Sequence, residues 1–354
     1  MMSVMERPLN DLRREIVSKY PNLNPGTRHP AQALWFPFLV GSIFEISAHL
    51  AGQPRFSAGN LFFSLGLGLL YGSLGLFTHE LLHGSILRID KSFTGLAVRI
   101  MAWFGFLILG VSPHLWMVWH NKTHHYNTNV SAVDPDSFGF WSDFKKFPMT
   151  DMVLKRAPGS GHWLSWIYFP LNFSNQAVNV IWYFVCSIDA KTFSSLNKKV
   201  AIVETLGMYG FWAWVGFHFG MTSFTLIFLF PVLVVNLVVS GYILVQHLLC
   251  PLTQINDPFE NTLGVETLAG LDWIHFHFSH HIEHHLFPEM SHVRFSELRE
   301  FLKKEYPARY RCMSHWKAIR LLLSTPRVYL DSTTLFDPQG DRVFDVSNIG
   351  RVSR

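Results

Sequence analysis

The sequence predicts an all-α integral membrane fold, with four transmembrane helices, interfacial helices and a histidine-rich cap on the cytoplasmic side. Three observations carry that prediction. Of the 354 residues 49% are hydrophobic and only 15% charged, against roughly 25% charged in an ordinary soluble domain. No Asp, Glu, Lys or Arg interrupts the chain from Thr205 to Asn256, and there are 19 histidines against 25 Asp plus Glu. A content of 32 Phe and 12 Trp excludes a disordered chain, a coiled coil and a small disulfide scaffold. Cys186, Cys250 and Cys312 share no close spacing, so neither a zinc ribbon nor a disulfide framework is expected. A net charge of +4 gives no reason to expect nucleic acid.

Residues 1–33 are polar and mixed in charge, and read as a cytoplasmic N-terminal segment rather than a signal peptide. A membrane domain then occupies 34–310. Its first apolar run is 34–51, carrying Glu45 and His49, and its second, 61–78, has no charge. The runs at 95–111, with Arg99, and 163–188, with Asn172, Asn175, Gln176 and Asn179, are poorer spans and read as interfacial. The uncharged stretch after Glu204 can cross a core of about 30 Å twice at 1.5 Å per residue. A break near Gly220–Ser223 gives spans 205–221 and 224–247. Of the 29 Lys and Arg, five precede Leu34, eight lie between Val111 and Thr205 and twelve follow Cys250. Four spans put nearly all of them on the cytoplasmic side. Gly66, Gly68 and Gly72 imitate a dinucleotide fingerprint, but inside an apolar helix with no preceding strand they read as close helix packing. Residues 311–354 read as a cytoplasmic C-terminal tail, loosely ordered after Leu330.

The histidines fall into three clusters: His79 and His83; His120, His124 and His125; His281, His284 and His285. Spacing of i, i+4 puts His79 and His83 one turn apart on one face. At 3.6 residues per turn His120 and His124 share a face, with His125 about 100° further round. Adjacent His–His pairs suit two metals, because neighbouring side chains diverge. One such pair is as much at home on a packed or exposed helix face as on a metal, but eight histidines reaching one side of a membrane are not, since ionisable groups there are costly. Four spans deliver all three clusters to the same side. Imidazole alone does not name the metal, but eight donors exceed one zinc site and fit two ions of higher coordination number.

At these residues the chain resembles the integral-membrane fatty acid desaturase and hydroxylase family, whose histidine boxes read HxxxH, HxxxHH or HxxHH, then a late HxxHH. His281-Ile-Glu-His-His-Leu-Phe-Pro288 resembles the third box of acyl desaturases, and Asn129, Val130 and Asp134-Pro-Asp136 the stretch after their second. The likeness covers about 34–310. It implies a dimetal cap holding two Fe2+ with O2 as co-substrate, and a ninth histidine before the third box, for which His247 matches best. His275, His277 and His280 are read as orienting the third box, and Glu80, Glu283, Asp134 and Asp136 as acceptors for imidazole N–H groups. The two Asp equally suit a turn. His79-Glu-Leu departs from the common His-Asp start and is closer to alkane hydroxylases; His281 stands where many cytochrome-fused lipid desaturases have Gln; and no His-Pro-Gly-Gly haem motif occurs.

The resemblance thus implies O2-dependent oxidation of a fatty acid, acyl-lipid or acyl-thioester, foremost desaturation, with terminal-alkene-forming decarboxylation and hydroxylation as alternatives. A separate electron donor, ferredoxin or cytochrome b5-like, would dock on basic residues such as Lys145, Lys146, Lys303, Lys304, Arg309 and Arg311, which equally suit anionic membrane lipid. The absence of a fused donor leans towards a bacterial inner membrane. The rivals from other classes are a zinc-dependent membrane hydrolase and a metal transporter. A transporter would place its ligands at mid-membrane, whereas these clusters lie at helix ends and in polar loops.

Overall fold

The computed structural model describes residues 6–90, 93–131, 133–137, 139–145, 155, 157, 159–186, 193–337 and 342–351. In chain order the helices include α1 (Glu6–Lys19), α2 (Trp35–Leu50), α3 (Ala58–His83) and α4 (Phe93–Gly105). Next come α5 (Pro113–Trp116), a π-helical segment (Met117–His124) and α6 (His125–Asn127). Then follow α7 (Trp163–Tyr168), α8 (Asn172–Cys186), α9 (Lys198–Phe224) and α10 (Phe230–His247). Further along lie α11 (His281–Leu286), α12 (Phe295–Glu305) and α13 (His315–Ser324), with short strands β1 (Gly264–Glu266), β2 (Cys312–Ser314), β3 (Val328–Tyr329), β4 (Thr334–Phe336) and β5 (Val343–Asp345). The chain divides into two compact units, one of residues 28–119 and 170–239, the other of 1–27, 120–169 and 240–354.

The first unit holds most of the apolar helix. Among the described residues three stretches are long and apolar enough to cross a membrane: Pro30–Leu50, Ala58–His83 and Lys198–His247. The last runs for 50 residues but is not straight. Gly220 sits at φ 81°, ψ 167°, a region essentially reserved for glycine. The rings of Trp212 and Phe228 meet at 4.4 Å, although a straight helix would set them roughly 24 Å apart. The chain therefore doubles back at Gly220, inside the break expected at 220–223. Gly52 N–H donates to Ser223 Oγ at 2.9 Å, so the α2–α3 turn lies at the same end of this unit as the bend.

α3 starts at Ser57, whose side chain accepts from Asn60 N, and stops at Gly84 in the left-handed region (φ 77°), directly after His83. Of the three α3 glycines singled out from the sequence, two do pack closely. A Cβ on Gly68 would lie 2.5 Å from Val234 Cβ and one on Gly72 3.4 Å from Val238, while Gly66 faces open space. The expected interfacial runs appear as α4, α7 and α8, with Trp163, Trp166 and Trp182 more than 60% exposed, as suits tryptophan at a lipid boundary. Part of the amide content near α8 is answered internally: Asn236 accepts from Ser174 N and donates to Ser174 Oγ, both at 2.8 Å.

The second unit has a soluble-type core. Leu9, Leu12 and Ile16 of α1 pack with Ile282 and Leu286 of α11 and with Phe295, Leu298 and Leu302 of α12. Arg13 Nε donates to the Leu286 carbonyl at 2.5 Å, which ties α1 to the end of the third histidine box. β1 and β2 pair in parallel, Gly264 with Cys312, and β3, β4 and β5 form an antiparallel sheet. Residues 331–337 and 342–351 are thus not loosely ordered as expected: Leu335 and Val346 are wholly buried. An apolar residue at alternate positions on a short strand is enough to seat a segment that composition alone marks as polar.

Candidate metal centre

His79 and His83 close the last turn of α3, both buried, with ring centroids 4.7 Å apart and Trp116 against each at 5.3 and 5.5 Å. Glu80 Oε1 lies 3.2 Å from His79 Nδ1, and Ser85 Oγ donates to Glu80 at 3.1 Å. Glu80 thereby fixes the Nδ1–H tautomer and turns the His79 lone pair to Nε2.

The other seven histidines of the expected set lie in the second unit, and all seven are buried. The second box does not keep the expected α-helical phase. Met117–His124 is π-helical, so a side chain also comes within reach of the one five residues on. His120 Nε2 stands 3.1 Å from His125 Nε2, and the His120 and His124 rings stack at 5.0 Å. His125 in turn lies 3.2 Å from His284, Nε2 to Nε2.

Two sets result. The nitrogens of His120, His125 and His284 lie within 4.8 Å of one another, and so do those of His124, His247 and His285. His281 Nε2 joins the second set, 2.8 Å from His247 Nε2 and 3.2 Å from His285 Nε2. Each adjacent pair, His124–His125 and His284–His285, is divided between the sets. This is the divergence expected of neighbouring side chains.

Second contacts orient these rings. His124 Nδ1 lies 3.0 Å from Asp134 Oδ1 and 3.4 Å from Asp136 Oδ2. Burial opposes a charge on His124, but the two carboxylates outweigh it and hold its pKa up at about 9. Thr128 spends its one proton on the His124 carbonyl (2.9 Å) and so accepts from His285 Nδ1 (3.1 Å), leaving the His285 lone pair on Nε2. Burial, then the surrounding histidines, push the His285 pKa well down, towards the neutral form a metal requires.

The donor set fits metal ions. Two nitrogens bound at right angles to one ion at about 2.1 Å are ~3.0 Å apart, and the four Nε2 pairs here span 2.8–3.2 Å. Imidazoles in ordinary packing have no reason to aim Nε2 at Nε2 this often.

Of the other residues singled out, Asp134 does both jobs expected of it, since it also accepts from Asn129 N (2.7 Å) and Asp136 N (2.9 Å) in the turn. Glu283 does not accept from an imidazole among the described residues. Its Oε1 accepts from Tyr310 Oη at 2.5 Å, with Arg299 Nε 3.8 Å away, because it points off the opposite side of α11 from the box. Burial raises its pKa. His275 meets Tyr242 Oη (3.0 Å), His277 meets His292 (3.0 Å) and His280 lies between Asp272 (3.5 Å) and Ser296 (3.3 Å). Burial lowers the pKa of His275 to about 4 and of His280 to about 2. Of the basic residues proposed for donor docking, Arg311 is wholly buried and cannot serve, Lys303 and Arg309 pair with Glu266 and Asp257, and Lys146 lies outside the described residues.

Sequence reading missed three buried amides. Asn256 Nδ2 donates to the His125 carbonyl (2.7 Å), Asn261 Nδ2 to the Thr128 carbonyl (2.5 Å) and Asn129 Nδ2 to the His247 carbonyl (2.9 Å). Only Asn129 had any signal, through its place after the second box; an asparagine in a loop otherwise looks like a turn former.

A family model described as Fatty acid desaturase matches residues 55–317, a range that contains all nine expected histidines. No curated protein matches the chain.

Proposed function

The chain belongs to the fatty acid desaturase family, and from that premise we propose that it is a multi-pass di-iron oxidase that desaturates a fatty acyl chain. The observation that carries the reading is the pairing of imidazole nitrogens at 2.8–3.2 Å in two sets within an oxidoreductase family. His120, His125 and His284 would hold one iron and His124, His247, His281 and His285 the other. On the pattern of the family His79 and His83 would be ligands as well. Two ferrous ions, when bound, supply dioxygen activation strong enough to break an unactivated C–H bond.

The protein's own part is positional. Asp134 holds the His124 Nδ1–H and Thr128 receives that of His285, so each presents Nε2. The buried walls keep water from the site. Taking two hydrogens from neighbouring carbons gives the alkene, and two electrons, delivered one at a time by a separate ferredoxin or cytochrome b5-like protein, with two protons from solvent leave both oxygens as water. Hydroxylation or loss of the carboxyl as a terminal alkene would follow from a different placement of the same chain, since about 1 Å can change the outcome. Four spans, α2, α3 and the two arms of 198–247, would leave the histidines on the cytoplasmic face of an inner membrane.

The test is a mass-spectrometric comparison of lipids and headspace hydrocarbons from cells expressing the wild type or His284→Ala, with iron counted on the purified proteins. An internal double bond and two irons per chain are expected of the wild type, and the variant should lose the double bond and the iron that His120, His125 and His284 would hold. Terminal alkenes or hydroxylated chains would overturn desaturation while keeping the di-iron site. Zinc in place of iron, with no oxygen dependence, would overturn the oxidase.

A further inference from the structure

α10 ends on His247, and the five carbonyls from Gln246 to Cys250 each receive a donor from far along the chain. Leu263 N–H donates to Gln246 O at 2.9 Å and Asn129 Nδ2 to His247 O at 2.9 Å. Arg327 Nη1 donates to Leu248 O at 3.2 Å, Arg311 Nη2 reaches Leu249 O at 3.5 Å, and Tyr329 Oη donates to Cys250 O at 2.5 Å. The last three belong to the C-terminal segment, and each is almost fully buried. Arg311 is itself fixed by the carbonyls of Glu260 (2.9 Å), Val346 (2.7 Å) and Ile349 (2.9 Å). Leu252 N–H donates to Ser332 O at 2.8 Å.

Helix ends leave their carbonyls unanswered and carry partial negative charge, so two guanidinium groups and a phenol suit this end. A helix end anchored by so many buried donors cannot rotate or fray, and its last side chain inherits that rigidity. We infer that the C-terminal segment, through Arg311, Arg327 and Tyr329, is a clamp that positions His247 for the metal it shares with His124, His281 and His285. Arg311 lies within the residues matched to the family, and Arg327 and Tyr329 beyond them. The clamp rests on the dimetal reading for its consequence but not for its geometry.

The clamp is tested with full-length Tyr329→Phe, which removes only a hydroxyl, and with Arg327→Met/Tyr329→Phe, each compared with His247→Ala. Iron per chain and the iron Mössbauer spectrum are read on reconstituted proteins, and amide hydrogen exchange across 244–250 on metal-free ones. The clamp predicts faster exchange across 244–250, a loss of at least about tenfold in affinity for one of the two irons, and a spectrum altered as in His247→Ala. Adding His247→Ala to the clamp variant should then cost little more, because both act on one ligand. Two irons with an unchanged spectrum in the double clamp variant would overturn the inference. If the wild type binds no iron, the dimetal reading fails on its own, and unchanged exchange across 244–250 would still refute the clamp.

Discussion

Asp134 accepts from His124 Nδ1, Asn129 N and Asp136 N together, so both of its oxygens are committed to donors. Asp134→Asn keeps the shape but turns an NH2 group towards one of those donors and removes the charge that favours His124 at Nε2. A loss of about 10- to 100-fold in metal affinity is expected, since partners of ligating histidines typically matter that much. Competition with a coloured chelator would read it. Tyr310→Phe makes a contrasting case. It strips a hydroxyl from the buried Glu283, which has Arg299 3.8 Å away. Stability should fall by about 1–3 kcal/mol, seen as a lower melting temperature, with iron content unchanged because no ligand is touched. These two residues also mark how far the site was legible. Asp134 follows its box at short range, so the motif pointed to it. Glu283 stands between two box histidines and looked like another acceptor, but on α11 it faces away, and its partner lies 27 positions on, where no local pattern reaches.

Periodicity located the helices well and misjudged one of them. The run at 34–51 became α2, and the break at 220–223 became the bend at Gly220. The phase of the second box did not follow, because a 3.6-residue repeat assumes i→i−4 bonding and Met117–His124 is π-helical. Nothing in His120-Asn-Lys-Thr-His124-His125 announces the wider turn, and the wider turn brings His125 to His120 as well as the stacked His124. Close packing of α3 was legible, since small residues at i, i+4 in an apolar helix have few other uses. Gly68→Ala tests it. The added Cβ would stand 2.5 Å from Val234 Cβ and 3.1 Å from the Pro231 carbonyl, and backbone cannot yield as a side-chain tip can. About 1–3 kcal/mol should be lost, whereas Gly66→Ala, which meets nothing within 4 Å, should be neutral or stabilising. Equal melting temperatures for the two variants would remove the packing argument.

At the scale of the whole molecule the open question is which way the apolar helices run through a membrane. The hydrogen bond from Gly52 to Ser223 sets the α2–α3 turn and the Gly220 bend at one end of the first unit. α3 then carries the chain 26 residues, about 39 Å at 1.5 Å per residue, before it stops at Gly84. That exceeds a hydrocarbon core of about 30 Å, so if α3 crosses, both turns face one side and His83 the other. On the positive-inside rule the end with the turns, which carries Arg55 alone, is expected outside and the His83 end inside. Single cysteines decide the matter, in a background with Cys186, Cys250 and Cys312 replaced by serine. Phe56→Cys and Met221→Cys are exposed near the two turns, and Arg88→Cys is exposed five residues past His83. A membrane-impermeant thiol reagent added outside intact cells should modify the first two and leave Arg88→Cys untouched until the cells are opened. The opposite pattern would put the histidines outside, away from any cytoplasmic electron donor. Labelling of all three from one side would mean that α3 does not cross, and the four-span topology would fall while the metal-binding geometry of the second unit stood.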